Sequence, residues 1–182
     1  MNPTRTFDLL DRYLQKFPGR HVLAEKINGR WIYYTSEQYY ETAHRFALGL
    51  LSLGFRRGDR IMTVTNNRPG WNFVDMGIAL AGMVHVPVYT SLNGGEYRHI
   101  LEHSGSRMVI VSDHKLYGLI EPVVATFSAV EHFLTFDEIS GARNWTEILD
   151  AGEKAGNDIR NELASIKSSI TSSDMAALIY TS

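Results

Sequence analysis

Two short stretches of the sequence carry residue types that could do chemistry. The first, residues 99–103, reads HILEH. The second is the apolar run at residues 175–180, which leads directly into Thr181 and Ser182. Two histidines four positions apart share one face of a helix and could both bind zinc, while Glu102 could activate a water molecule. The H-x-x-E-H pattern is that of the inverted zinc peptidases. A zinc metallopeptidase is therefore one hypothesis for this chain.

The same pattern has a structural interpretation. His99 and His103 would lie on the solvated side of an amphipathic helix, with Tyr97, Ile100 and Leu101 facing the interior. A short motif arises easily by chance in a chain with seven histidines. The sequence indicates no third ligand, so the structural interpretation is favoured.

Composition excludes several other classes of function. The chain has 182 residues, 44% of them hydrophobic and 21% charged, which is typical of one globular domain. Its net charge of −2 provides no general attraction for nucleic acid. It contains no cysteine, which excludes disulfides and thiol catalysis and fits a reducing compartment. With no signal peptide and no apolar run of membrane-spanning length, we predict a cytoplasmic protein and leave peripheral membrane contact open.

The first part of the chain predicts a helix and a hairpin. Apolar residues recur at helical spacing over residues 7–17, and Asn28-Gly29 separates two strand-like runs. Thr35 and Gln38 fit a capping box at the start of the following helix.

The rest of the chain alternates between buried strands and helices. Strands that are apolar on both faces and alternate with helices imply a parallel sheet covered on both sides. We therefore predict an α/β fold with a doubly wound, three-layer parallel sheet, preceded by the helix and the β-hairpin. The predicted strands are 60–65, 84–89, 107–112, 132–136 and 175–180. The predicted helices are 69–82, 95–105 and 114–127, the last bent or broken near Pro122, and weaker helices are expected over about 146–166.

Several linked motifs resemble the adenylate-forming (AMP-binding) enzymes. Among these, the chain looks most like the long-chain fatty acyl-CoA synthetases, and the resemblance covers essentially all 182 residues. No Rossmann or Walker motif competes with this interpretation. The motifs are Gly58-Asp59-Arg60-Ile61, Asn67-Arg68-Pro69-Gly70-Trp71, residues 82–89, Glu96, and DMAALIYTS at residues 174–182.

The resemblance implies a domain and a site. Residues 1–182 would form a single domain, the N-terminal portion of an AMP-binding domain of the acyl-CoA synthetase-like fold, truncated at the start of the phosphate loop. Thr181 and Ser182 would begin that loop and bind ATP, while no catalytic residue and no metal ligand would lie in this stretch. The family usually has glutamate where this sequence has Gly70, so we expect a weaker helix start there.

The resemblance also implies an activity. The parent enzyme would be a long-chain fatty acid–CoA ligase that uses ATP, Mg²⁺ and CoA, and these 182 residues alone would be inactive and would bind no cofactor. Unpaired strand edges would favour homo-oligomers. A free-standing flavodoxin-like binding module remains the alternative, with the zinc metallopeptidase as a further one.

Overall fold

The computed structural model describes residues 3–181, which form an α/β structure with two sheets. A two-stranded antiparallel hairpin stands beside a five-stranded parallel sheet. In chain order the elements are α1 (Asp8–Lys16), β1 (His21–Ile27), β2 (Arg30–Thr35), α2 (Ser36–Ser52), β3 (Arg60–Val64), α3 (Pro69–Leu80), β4 (Val84–Val88), α4 (Gly94–Ser104), β5 (Met108–Val111), α5 (His114–Val124), β6 (His132–Thr135), β7 (Arg143–Asn144), α6 (Thr146–Glu153) and α7 (Asn157–Ser169).

Local sequence signals place the hairpin and the helix after it. Asn28 and Gly29 have φ angles of 49° and 81°, the left-handed conformation that a tight two-residue hairpin turn requires. The Thr35 side chain accepts from the Gln38 backbone N–H, and the Gln38 side chain accepts from the Thr35 N–H. The predicted hairpin and capping box are both confirmed.

The parallel sheet has helices on both faces, as predicted. Its strand order is β4-β3-β5-β6-β7. Successive residues of a strand point to opposite faces, and in β3 Ile61 packs with Phe46 and Val74 from α2 and α3, whereas Met62 packs with Tyr97 from α4. The sheet therefore separates two hydrophobic cores, and the fold is doubly wound.

The predicted strand at residues 175–180 is wrong in extent. Only one residue of it, Ala177, forms a bridge, and that bridge is parallel to His85 at the outer edge of β4. Leu178 and Tyr180 pack partly against the core on the α4 side, while Ile179 is 68% exposed. A run of apolar residues on both faces predicts a strand that is covered on both faces. The prediction fails because the described residues cover only one face of this run. We call residues 176–181 the terminal segment.

Two predicted helices also differ in extent. The helix over 114–127 ends at Val124 and runs through Pro122 in its last turn. The helices expected over about 146–166 are α6 and α7, separated near Gly156, which precedes α7 as its N-cap, and α7 runs on to Ser169. A short β7 that the sequence analysis did not anticipate pairs with β6.

The N-terminal residues fix the end of α7, from which the chain runs toward the terminal segment. The backbone N–H groups of Thr4 and Arg5 both donate to Asp8 Oδ2 at 3.0 Å. The Arg5 guanidinium forms an ion pair with Asp8 at 2.7 Å and donates to the backbone oxygens of Lys167 and Ile170. A buried carboxylate thus orients the arginine that holds the end of α7.

We expect the Asp8→Asn variant to lose about 2 kcal/mol of free energy of unfolding at pH 7. Burial acts to raise the pKa of Asp8, but hydrogen bonds from the Arg5 side chain and from the backbone of Thr4 and Arg5 outweigh it and lower that pKa from 3.8 to about 2. Because the folded-state pKa is the lower one, the stabilisation is present above about pH 4 and is lost as the pH falls toward 2.

Urea unfolding of the variant and of the original chain, at pH 7 and at steps down to pH 2, measures this effect. Asp150→Asn removes an exposed carboxylate from α6 and serves as the matched control. Equal free energies of unfolding for the Asp8→Asn and original chains at pH 7 would contradict the role assigned to Asp8.

Candidate functional site

Polar side chains gather where the parallel strands end. Because the carboxyl ends of parallel strands share one edge, the residues after β3, β5 and β6 meet there. Asn66 Nδ2 donates to Asp113 Oδ2 at 3.4 Å, and Arg68 Nη1 donates to Asp137 Oδ1 at 2.8 Å. This edge is where an open α/β sheet most often binds ligands.

Asp113 makes one part of this edge unfavourable for anions. Its side chain accepts from the Leu116 backbone N–H at 3.1 Å and from the Ser112 hydroxyl at 2.7 Å. Burial acts to raise the pKa of Asp113, but these hydrogen bonds outweigh it, so that the pKa lies below its ordinary value. A fixed negative charge therefore occupies the N-terminus of α5 and opposes phosphate between β3 and β5.

Gly70 has a packing reason to be glycine. It is buried in the first turn of α3, and a Cβ atom built there would lie 3.2 Å from Phe136 Cδ1. The Arg68 guanidinium lies over the same Phe136 ring at 5.2 Å. A glutamate at this position would need the Phe136 ring to move.

A cavity of about 460 Å³ lies at the carboxyl ends of β3 and β4. Its lining includes Thr63 in β3, Thr65 directly after β3, Trp71 in α3 and Tyr89 directly after β4. Ile179 from the terminal segment completes one side. The lining residues are uncharged, so no carboxylate among them repels an anion at this place.

The terminal segment reaches this cavity by pairing with β4. The His85 N–H donates to the Ala176 oxygen at 3.0 Å, and the Leu178 N–H donates to the His85 oxygen at 2.8 Å. The bridge is parallel and pairs Ala177 with His85. Continuing that register brings Thr181 level with Tyr89, at the carboxyl edge of the sheet.

Of the two predicted site residues, Thr181 lies exposed at the end of the terminal segment. Ser182 lies outside the described residues. The preceding Tyr180 is held by its hydroxyl, which lies 2.7 Å from His103 Nδ1, and the two rings meet edge to face with centroids 5.6 Å apart. Burial raises the pKa of Tyr180. A side-chain contact to α4 thus supports the backbone pairing to β4.

The HILEH stretch has the structural role that the sequence favoured. His99 and His103 are exposed on α4, whereas Tyr97, Ile100 and Leu101 are buried. Within residues 3–181, no group of three histidine or acidic side chains is placed to hold a metal ion. The described structure therefore gives the zinc metallopeptidase hypothesis no ligand set.

Sequence reasoning missed a buried polar cluster beside the cavity. Asp75 Oδ1 lies 2.7 Å from His85 Nδ1, and Thr63 Oγ1 lies 2.8 Å from His85 Nε2. These residues come from α3, β4 and β3. The available signal was weak, because it consisted only of a histidine and a threonine inside otherwise apolar strands.

The helices of the described residues include none that is both long and apolar enough to cross a bilayer.

Comparison with known sequences finds the family model described as AMP-binding enzyme, which matches residues 10–182. The long chain acyl-CoA synthetase 1 of Arabidopsis thaliana is 27% identical over 75% of this chain and 22% of its own length. The long-chain-fatty-acid–CoA ligase ACSBG2 of Gallus gallus is 25% identical over 99% of this chain and 24% of its own length. FadD15 of Mycobacterium bovis, a long-chain-fatty-acid–CoA ligase, is 28% identical over 91% of this chain and 27% of its own length. This chain thus spans 22–27% of these relatives.

Solved structures share the fold. A long-chain-fatty-acid–CoA ligase (FadD1) from Archaeoglobus fulgidus superposes with a TM-score of 0.77 at 19% identity, over 100% of this chain and 35% of that one. Coronafacic acid ligase from Pectobacterium brasiliense superposes with a TM-score of 0.77 at 19% identity, over 97% of this chain and 33% of its own. The predicted acyl-CoA synthetase-like fold, present in part, is confirmed.

Proposed function

Because the chain belongs to the AMP-binding enzyme family, we propose that it is the N-terminal portion of an ATP-dependent acid–CoA ligase that acts on long-chain fatty acids. The family match over residues 10–182 carries the proposal. Three relatives whose names specify a long-chain acyl or fatty acid substrate support the acyl class. This chain spans about a quarter of the length of those relatives, which supports assigning the activity to a longer protein.

The proposed domain places the ATP phosphates at the terminal segment. Residues 1–182 would be one domain portion that reaches the first residues of a phosphate loop, with Thr181 and Ser182 as its first ligands. Thr181 follows a segment that runs toward the carboxyl edge of the sheet, where open α/β sheets bind ligands. Backbone N–H groups in a turn at that edge would converge on phosphate oxygens.

The chemistry of such a ligase proceeds in two steps. The substrate carboxylate attacks the α-phosphate of ATP and gives an acyl-adenylate and pyrophosphate, because a free carboxylate has no adequate leaving group. The thiol of CoA then displaces AMP and forms the thioester. Residues of this chain would orient the phosphates and exclude water around them.

The residues at the cavity fit a phosphate better than a metal ion. Its lining is uncharged and supplies hydroxyl and amide groups from residues such as Thr90 and Asn67. Mg²⁺ prefers carboxylate oxygens, which this lining does not offer. We therefore assign no magnesium ligand to this chain and place that role, together with the catalytic residues, in the rest of the ligase. A cytoplasmic location and contact with a membrane surface stay predictions.

A flavodoxin-like binding module is the second candidate, and the strand order favours it. Numbered within the parallel sheet, the order is 2-1-3-4-5, in which the ligand site lies at the switch point between β3 and β5. The carboxylate of Asp113 stands at that point and disfavours a phosphate. This candidate would be supported over the ligase if the chain bound flavin mononucleotide at the β3–β5 edge.

The first test of the ligase proposal compares two proteins. We expect the 182-residue chain to form no acyl-adenylate from palmitate and ATP, and the protein expressed from the complete reading frame to do so. In the complete protein, Thr181→Ala should raise the KM for ATP about tenfold, the effect of one lost hydrogen bond to a charged group. ATP–pyrophosphate exchange measures both.

Ser165→Ala is the matched control, because it removes an exposed hydroxyl from α7 and Ser165 does not line the cavity. It should leave the KM for ATP nearly unchanged. Butyrate and benzoate in place of palmitate test the acyl class. Adenylation by the 182-residue chain alone, or none by the complete protein with any acid, would contradict the proposal.

A second test concerns the free edge of the terminal segment. Ala176 and Leu178 hydrogen-bond toward His85, so the backbone groups of Ala177 point away from β4. Among residues 3–181 no strand pairs with that outer side. Because unpaired strand edges recruit other strands, we expect the 182-residue chain to self-associate.

Light scattering measures the mass of the particle. Ala177→Pro removes a backbone N–H donor from the outer side of the segment and should shift the chain toward monomer. Ala164→Gly, at an exposed position of α7, should not alter the mass. A strictly monomeric original chain with an ordered terminal segment would count against edge pairing.

A further inference from the structure

We propose that Asp75 and Thr63 are positioning residues that act through His85 to hold the terminal segment, and with it Thr181, at the carboxyl edge of the sheet. The role that we give to this arrangement, the placement of the ATP phosphates, rests on the proposed function. The link between Asp75 and the terminal segment stands on contacts alone.

The His85 ring is partnered on both nitrogens and lies in the interior. The residue is 1% exposed. A carboxylate accepts hydrogen bonds and donates none, so His85 Nδ1 donates to Asp75 at 2.7 Å. In the neutral ring Nε2 then accepts from the Thr63 hydroxyl at 2.8 Å. The two partners together select one tautomer and one orientation of the ring.

The backbone of the same residue holds the terminal segment. His85 donates to Ala176 and accepts from Leu178, and this bridge is the backbone pairing between the terminal segment and the sheet within the described residues. The Trp71 ring packs against the His85 ring, with centroids 5.3 Å apart. Residues from α3 and β3 therefore fix the side chain whose backbone sets the register of the terminal segment.

Loss of the Asp75 carboxylate should weaken this bridge before it weakens the rest of the sheet. A buried imidazole N–H left without an acceptor is costly, so the ring would turn or draw water toward it. The bridge lies at the sheet edge next to exposed alanines, where few apolar contacts resist opening. A disturbance at His85 would then release Leu178 before it loosened the central strands.

The experiment uses the 182-residue chain and two variants of similar side-chain volume, Asp75→Leu, which removes the acceptor, and Thr63→Val, which removes the hydroxyl donor. Nitrogen-15 shifts of the His85 ring report its tautomer, and hydrogen exchange reports the Leu178 amide. The reference amide is that of Ser112, which donates to Val64 inside the sheet. Each rate is divided by the Ser112 rate, so that a general loss of stability cancels.

We expect the original chain to carry the His85 proton on Nδ1 and to protect the Leu178 amide. Both variants should speed the normalised exchange of Leu178 about tenfold. Ile148→Ala, which weakens the packing of α6 against α2 away from the terminal segment, should leave that ratio unchanged. A proton on Nε2, an unprotected Leu178 amide in the original chain, or an unchanged ratio in both variants would overturn the inference.

The complete protein supplies the functional readout. Asp75→Leu should raise the KM for ATP by about tenfold and change kcat less, because it displaces a binding residue and touches no reacting atom. Faster Leu178 exchange with an unchanged KM would overturn the connection to ATP. A complete protein without adenylation activity would overturn the proposed function instead, while the exchange result would still decide the link from Asp75 to Leu178.

Discussion

Two backbone hydrogen bonds at His85 decide where the last described residues of the chain lie. They join the terminal segment to the outer edge of β4 in parallel, with N···O distances of 3.0 Å to Ala176 and 2.8 Å from Leu178. Parallel pairing gives the segment the same direction as the strands, so Thr181 emerges at the edge where every strand ends. An antiparallel approach would have delivered Thr181 to the opposite edge.

The polar cluster explains how one edge strand can specify that position. Strand β4 is otherwise apolar, and His85 adds a side chain that is satisfied only when Asp75 and Thr63 are both in place. Apolar packing alone would allow β4 small shifts at little cost, whereas a partly satisfied buried polar cluster is unfavourable. The arrangement thus exchanges some hydrophobic burial for a defined register.

Local chemistry explains which elements could be predicted from the sequence. The Asn28-Gly29 turn and the Thr35 and Gln38 capping box both depend on neighbouring residues, and the structure has each of them. The alternation of buried strands with helices also sufficed to predict a doubly wound sheet. These features need no knowledge of distant contacts.

The features that sequence reasoning missed depend on tertiary contacts. The extent of pairing at residues 176–180 is set by what lies on the outer side of the segment, which local pattern does not report. Asp75, His85 and Thr63 meet only after the crossover through α3 places β4 beside β3. The resemblance to adenylate-forming enzymes directed attention to Thr181, but it gave no indication of the cluster that positions it.

A structure of the protein from the complete reading frame with ATP bound tests the central claim most directly. We expect the bridge between Ala177 and His85 to be intact and the Thr181 hydroxyl to lie within hydrogen-bond distance of a phosphate oxygen. Phosphates bound at the β3–β5 edge near Asn66, or a terminal segment detached from β4, would contradict it.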